Sequence, residues 1–153
     1  MSVQPSSASE SPSTVSSGQV VSGAAAAVLD SLSGIKEGDV FLEKLAASIA
    51  GLATMDDSLI VLDVLSGYRN YPDGVKDAAS VAFQAMADPG VRARVLELSA
   101  GLYELAGRWT DAAIRWEATA KVTGVDSASA LVPAAVAWLA AGETFKAATV
   151  CAA

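Results

Sequence analysis

Apolar residues recur every three to four positions along most of this chain, which is the spacing of an amphipathic helix. The first predicted helix spans Gln19 to Leu32 and stops at the pair Ser33 and Gly34. A second predicted helix begins at Asp39, a residue type that commonly caps a helix start. No run of β-branched residues alternates with a period of two, so the pattern predicts an all-α protein.

The third predicted helix, from Ser58 to about Tyr68, is apolar on several sides and reads LIVLDVL in its first two turns. A helix of this kind needs neighbours on more than one face. We interpret the preceding pair, Asp56 and Asp57, as a helix cap, since adjacent carboxylates point in different directions and do not make a metal site. Pro72 interrupts the pattern, and a fourth helix is predicted from Val75 to Ala87.

The stretch from Ala93 to Val122 looks like two helices that meet at Gly107, and a weaker copy follows about 35 positions later. Equivalent positions of the two copies carry side chains of similar size: Gly107 with Gly142, Tyr103 with Trp138, Ala100 with Ala135, and Ala112 with Ala147. The clearest repeats are therefore 93–127 and 128–153. A degenerate repeat spans about 58–90, with Gly67 at the position of Ala100, and with Ala79 and Phe83 on its second helix.

Small and aromatic side chains within the repeat predict a close contact between helices. Ala100 and Ala112 allow two backbones to approach each other, while Tyr103, Trp109 and Trp116 fill the remaining space. We therefore interpret the aromatic residues as part of the core, and not as an exposed cage for a ligand.

Composition adds limits to this helical pattern. Residues 1–18 are mostly Ser, Pro, Thr and Gln and are predicted to be a disordered tail, which leaves 19–153 as a single domain. The apolar content of 52% is rich in alanine, so the helices can pack closely. No segment is long and apolar enough to cross a bilayer. A secretory signal requires a basic residue before its apolar core, whereas the first basic residue here is Lys36. We therefore expect a cytoplasmic protein.

Charge and missing residue types argue against several functions. Seventeen acidic and ten scattered basic residues give a net charge of −7, so nucleic acid is not an expected partner. Histidine is absent, which removes the commonest catalytic base and zinc ligand. The single cysteine, Cys151, is interpreted as a small core residue. We expect no catalytic residue, no metal and no cofactor, and a helical enzyme that uses only carboxylates is the least favoured alternative.

The repeat resembles the tetratricopeptide repeat, which places a Leu, a small residue and a Tyr on its first helix and Ala-x3-Phe on its second. Here Leu96, Ala100 and Tyr103 occupy the first helix, and Ala112 and Trp116 occupy the second. The resemblance implies a solenoid of helical hairpins with about seven or eight helices.

A closer resemblance covers Leu96 to Ala148. The run GLYELAGRWTDAAIRW, followed after sixteen residues by PAAVAWLAAGETFKAA, is similar to the translocator chaperones of bacterial type III secretion systems. The matching positions are Gly107, Trp109, Ala113, Ile114, Pro133, Ala134, Ala135, Gly142 and Glu143. The first 90 residues do not obviously match, and the chaperones that hold needle subunits remain an open alternative because their repeats are also degenerate.

This resemblance implies a non-catalytic chaperone or adaptor in the bacterial cytoplasm, which holds an aggregation-prone secreted protein in a concave groove. An amphipathic helix or an extended segment with apolar anchors would suit such a groove. Mapped onto this chain, the groove residues are Arg94, Glu97, Gly101, Glu104, Leu105, Val132, Val136 and Leu139.

The carboxyl-terminal sequence FKAATVCAA suggests a second kind of contact. Repeat solenoids usually finish with a polar helix, whereas this one would leave Phe145, Val150 or Cys151 without cover. We therefore expect self-association or a stably bound partner at this edge, and the alternative function is a structural subunit of a larger complex. The loop with Tyr68, Arg69 and Tyr71 is either a further contact site or an ordinary connection between helices.

Overall fold

The computed structural model describes residues 21–71, 83–122 and 126–152. These ranges contain seven α-helices and one short 3-10 helix, with no strand, so the predicted all-α class is confirmed for this part of the chain. The elements are α1 (Gly23–Leu32), α2 (Gly38–Ala50), α3 (Met55–Ser66), the 3-10 helix (Gln84–Ala87), α4 (Pro89–Leu105), α5 (Trp109–Ala120), α6 (Ser127–Ala140) and α7 (Thr144–Ala152).

Short polar side chains cap several helix starts. Ser22 accepts a hydrogen bond from the backbone N–H of Ala25 at the start of α1, at 3.1 Å. Asp88 accepts from the N–H of Gly90 at 2.8 Å, and Pro89 occupies the first position of α4, where its missing N–H has no intrahelical partner to lose. These interactions satisfy backbone donors that the first turn of a helix leaves unpaired.

Two predicted caps are wrong. Helix α3 begins at Met55, and its cap is Thr54, which accepts from the N–H of Asp57 at 3.2 Å. Helix α2 begins at Gly38, which places Asp39 inside the first turn. Asp39, Asp56 and Asp57 instead lie in the first turn of their helices, where the positive end of the helix dipole stabilises negative charge.

Three helices end in the same turn, and each turn depends on a glycine with positive φ. The values are +85° at Gly67, +74° at Gly107 and +82° at Gly142. In each case the N–H of the following residue bonds to the carbonyl five positions earlier: Tyr68 to Asp63, Arg108 to Tyr103, and Glu143 to Trp138. This is the Schellman motif, which satisfies carbonyls at the end of a helix.

Gly67 therefore does not correspond to Ala100, and that alignment is wrong. It corresponds to the turn glycine Gly107, so the degenerate repeat does have a turn glycine, 40 positions earlier instead of 35. Its second predicted helix, Val75 to Ala87, lies largely outside the described residues, as does Ala79. The described part ends in the 3-10 helix, preceded by the buried Phe83.

The helices enclose two main groups of buried apolar side chains. The first, called the aliphatic core, lies among α1, α2, α3, the 3-10 helix and the first half of α4, and includes Leu29, Leu32, Phe41, Leu45, Val61, Leu62 and Val95. The second, called the alanine core, includes Leu59, Tyr103, Ala112, Ala113, Ala134, Ala135, Ala137, Trp138, Ala147 and Val150.

Helices α4 and α5 form one helical hairpin, and α6 and α7 form the next. The two hairpins lie at the positions of the two clearest sequence repeats. Helix α5 packs against both α4 and α6, and α6 packs against α7. Ala100 and Ala112 are completely buried, as expected for small side chains where helices approach closely.

Candidate functional site

The predicted groove residues on α4 differ in solvent exposure. Leu105 is 76% exposed, and Arg94 is also exposed. Arg94 forms an ion pair with Glu97 at 3.0 Å, one helical turn away. Glu104 is half-buried and accepts a hydrogen bond at 2.9 Å from the indole N–H of Trp116 on α5. The carboxylate of Glu104 is therefore engaged within the hairpin, whereas Leu105 is available to a partner.

Gly101 lies in the interior of α4 and is half-buried. A Cβ added there would meet nothing within 4 Å. The position therefore offers open space on the helix surface, and no close packing in the described structure demands glycine.

On α6, the three predicted groove residues form a continuous apolar stripe. Val132, Val136 and Leu139 are 65%, 56% and 56% exposed, and their spacing places them on one side of the helix. No charged residue occurs anywhere in the 14 residues of α6. We refer to these three residues as the α6 stripe.

The two predicted sets belong to different helices that are joined through α5. Extensive packing links α5 to α4 and α5 to α6, whereas α4 and α6 share no comparable contact. Leu105 and the α6 stripe are exposed, and a shared concave groove stays a prediction.

The predicted carboxyl-terminal edge is partly wrong. Phe145 is 81% exposed, and Cys151 is exposed as well. Val150, however, is buried in the alanine core together with Ala147, because these two residues lie one turn apart on the inner side of α7. The interpretation of Cys151 as a core residue is therefore also wrong, since Val150 takes the inward position beside it.

A surface pocket of about 470 Å³ lies beside this edge, between the start of α6 and the end of α7. Its lining combines apolar side chains with small polar ones: Ser127, Ala128, Leu131, Val132, Val150 and Cys151. Val132 therefore belongs both to the α6 stripe and to this pocket, so the apolar surface continues toward the end of α7.

The aromatic side chains of the repeats pack as the sequence predicts. Tyr103 and Trp138 are buried in the alanine core, and Trp109 and Trp116 are partly buried against it. The indole N–H of Trp138 donates to the carboxylate of Glu117, and the ammonium of Lys146 lies 4.6 Å from the centre of the Trp138 ring. None of these rings forms an open cage.

Sequence reasoning missed a buried polar cluster where α3, α4 and α5 meet. Asp63, Tyr103 and Arg115 are 3%, 1% and 5% exposed. The phenol of Tyr103 donates to Oδ2 of Asp63 at 2.5 Å, and Nη2 of Arg115 donates to Oδ1 at 2.9 Å. Both oxygens of this carboxylate are thus engaged, as a buried charge requires.

Aromatic rings enclose the guanidinium of Arg115. Its central carbon lies 4.1 Å from the centre of the Tyr68 ring and 4.5 Å from that of Tyr103. Nη1 of Arg115 also contacts the carboxylate of Asp111 at 3.3 Å. The guanidinium is therefore held by two carboxylates and two ring faces, and both kinds of contact attract a cation.

The loop after α3 is tied to the same cluster. The guanidinium of Arg69 lies 3.9 Å from Oδ2 of Asp63, and the backbone N–H groups of Tyr68 and Arg69 donate to the Asp63 carbonyl. Tyr71 donates from its phenol to Asp30 on α1 at 3.0 Å. Of the three loop residues, Tyr68 presents a large exposed surface, at 41%.

Burial raises the pKa of Tyr103 to about 12, and the hydrogen bond to Asp63 and the negative charge of that carboxylate act in the same direction. Arg115 and Arg108 partly oppose this effect. The protonated phenol of Tyr103 and the guanidinium of Arg115 both bond to Asp63, so the three side chains join α3, α4 and α5. They offer no free base or nucleophile, so the cluster has the properties of a structural tie.

No group of three or more His, Cys, Asp or Glu side chains in residues 21–71, 83–122 and 126–152 is arranged to hold a metal ion. No helix in these ranges combines the length and apolar character that crossing a membrane requires.

No family model, curated protein or solved structure matches this chain.

Proposed function

We propose that this protein is a non-catalytic chaperone or adaptor that binds an apolar segment of another protein. The α6 stripe is the observation that carries this proposal. Val132, Val136 and Leu139 stay more than half exposed on a helix without charged residues. Apolar patches that remain exposed in this way usually mark an interaction surface.

The chemistry of the stripe indicates how a partner would bind. Burying each of these aliphatic side chains completely contributes about 1.5–3 kcal/mol relative to leaving it exposed. A partner helix with apolar side chains at every third or fourth position would pack against the stripe along α6. The partner would be protected from aggregation while its apolar side chains are bound, and no covalent step is needed.

The finer proposal is a chaperone of type III secretion that holds a secreted protein in the bacterial cytoplasm. Its support is the sequence similarity around Gly107, Trp109, Pro133, Gly142 and Glu143. The repeated glycine turns are compatible with it, because they give the two hairpins the same local geometry.

Co-expression with the products of neighbouring genes tests the proposal, with Val136→Glu as the main variant. We expect the unaltered chain to retain a small secreted partner through purification, and Val136→Glu to lose it. Val40→Glu is the matched control, since Val40 is also exposed, at 46%, but lies on α2. Helicity measured by circular dichroism should be unchanged in both variants. Equal retention by all three proteins would refute the role of the α6 stripe.

Leu105→Glu shows whether α4 takes part in the same site. If Leu105 and the α6 stripe contact one partner, both variants should lose it. Leu98→Glu is the control on the same helix, because Leu98 is only 36% exposed and is not a predicted contact. Retention of the partner by Leu105→Glu would restrict the site to α6.

The alternative function, a structural subunit, is favoured by a different observation, the 81% exposure of Phe145 on α7. Light scattering after size-exclusion chromatography distinguishes the two functions. A large assembly of this chain alone that dissociates on Phe145→Ser would favour the structural role. A monomer or small oligomer that binds one partner would favour the chaperone.

A further inference from the structure

A second pocket, of about 320 Å³, lies where the end of α3, the first half of α4 and the end of α5 meet. It is separate in sequence and lining from the α6 stripe. The lining residues that define its chemistry are Ser66, Tyr68, Arg92, Leu96, Lys121 and Val122.

Hydrogen-bond donors dominate the polar part of this lining. Arg92 carries five N–H donors and Lys121 carries three. One donor of Arg92 is used within the described structure, since Nη1 donates to the carbonyl of Met86 at 3.0 Å. Neither Arg92 nor Lys121 forms an ion pair with a carboxylate of the described residues. The lining itself contains no acidic side chain.

The placement of Arg92 is not explained by its own helix. Lys121 caps the end of α5, where the helix dipole stabilises a cation. Arg92 lies near the start of α4, where the dipole opposes a cation. The exposed ring of Tyr68 borders the same pocket and separates it from Arg115, whose charge is already paired with Asp63 and Asp111. The lining thus brings two cations, Arg92 and Lys121, to one pocket without a carboxylate, on a chain with a net charge of −7.

We propose that this pocket binds an oxyanion, either a phosphate group or a carboxylate, on Arg92 and Lys121. A guanidinium forms paired hydrogen bonds with the oxygens of such a group, and an ammonium adds a second charge. Leu96 and Val122 supply an apolar floor beside the cations. The volume is at the lower end of ligand pockets, which suits a small head group in place of a large cofactor.

The same chemistry is offered by free phosphate and by the terminal carboxylate of a peptide, and the test separates these sources. The full chain, labelled with nitrogen-15, is titrated with inorganic phosphate, with N-acetyl-leucine and with N-acetyl-leucine amide. We expect saturable shifts of the backbone amides of Tyr68 and Val122 with phosphate or with the free acid, and none with the amide. Saturation by phosphate alone indicates a phosphate site, and saturation by N-acetyl-leucine alone indicates a carboxylate site.

Charge-removing variants identify the residues responsible. Lys121→Gln and Arg92→Gln should each weaken the apparent affinity about tenfold, the usual effect of losing a hydrogen bond to a charged group. Lys44→Gln is the matched control, because Lys44 is exposed on α2 and removes the same charge elsewhere. The absence of saturable shifts with both anions would overturn the proposal. An equal loss of affinity in Lys44→Gln would also overturn it, by showing a general charge effect.

Discussion

The aliphatic core and the alanine core differ in the size of the side chains that pack between their helices. Large residues such as Leu45 and Phe41 fill the first. In the second, alanines such as Ala112 and Ala134 bring backbones close, and Tyr103 occupies the larger spaces. Most of the equivalent repeat positions lie in the alanine core: Tyr103, Ala112, Ala135, Trp138 and Ala147.

Three buried polar side chains join these two regions. Asp63 lies on α3, which contributes to both cores, while Tyr103 and Arg115 lie on the first repeat. Substitutions in this cluster should therefore destabilise both regions. A substitution within one core should instead report how closely that core is packed.

The largest expected effect comes from breaking the buried ion pair. Asp63→Ala leaves the charge of Arg115 without its closest carboxylate, and Arg115→Ala leaves Asp63 charged and buried. Each should reduce the free energy of unfolding by about 3–5 kcal/mol, measured in urea. The double variant Asp63→Ala and Arg115→Ala should lose clearly less than the sum of the two single losses, because it leaves neither charge of the pair uncompensated. An additive result would show that the two charges are not coupled.

Opposite changes of volume should be harmful in the two cores. Leu45→Ala in the aliphatic core creates a cavity and should cost about 2–5 kcal/mol. Ala134→Leu in the alanine core forces the helices apart and should cost about 1–3 kcal/mol. Leu45→Met, which keeps the volume, is the control for the first change. Full stability of Ala134→Leu would mean that the alanine core is not closely packed.

Alkaline pH should weaken the connection between the cores. The pKa of Tyr103 rises from 10.0 to about 12 on folding, so the folded state favours the protonated phenol. The resulting stabilisation is complete below pH 10 and is lost as the pH rises from 10 to about 12. Its size is about 2–3 kcal/mol at 1.36 kcal/mol for each pKa unit. Urea unfolding at several pH values checks this expectation, and Tyr103→Phe should remove that part of the pH dependence.

The smallest expected effects concern the repeated turns. Gly107→Ala and Gly142→Ala should each cost about 1 kcal/mol, because a side chain is strained at positive φ. Gly101→Ala is the control within α4, where helical φ and open space should make alanine stabilising by about 0.5–1 kcal/mol. Thermal melting measures all three. Different costs at Gly107 and Gly142 would show that the two turns are not equivalent.

Local features were the most predictable part of the structure. The spacing of apolar residues identified the helices, and the offset between Gly107 and Gly142 identified equivalent turns. Helix starts were less predictable, because Thr54, Asp56 and Asp57 all favour capping and only backbone geometry selects Thr54.

Tertiary pairing was not predictable from the apolar pattern. Asp63 lies within the apolar run LIVLDVL, and its partner Arg115 lies 52 positions away. A signal was present, because a lone carboxylate in an apolar helix must find a partner. On α7, Val150 and Cys151 are adjacent in sequence but point in different directions. Which of the two is buried therefore depends on how the helix is rotated against α6, and the apolar pattern alone does not define that rotation.

Helix α3 places Leu59 in the alanine core and Leu62 in the aliphatic core, although less than one helical turn separates them. Neither core can lose this helix without exposing apolar surface of the other. The two regions should therefore melt in one cooperative transition, and the most slowly exchanging backbone amides should lie in α3. In folding, the contact between Asp63 and Arg115 must wait for the intervening chain to close, so docking of α5 on α3 is expected to be a late event.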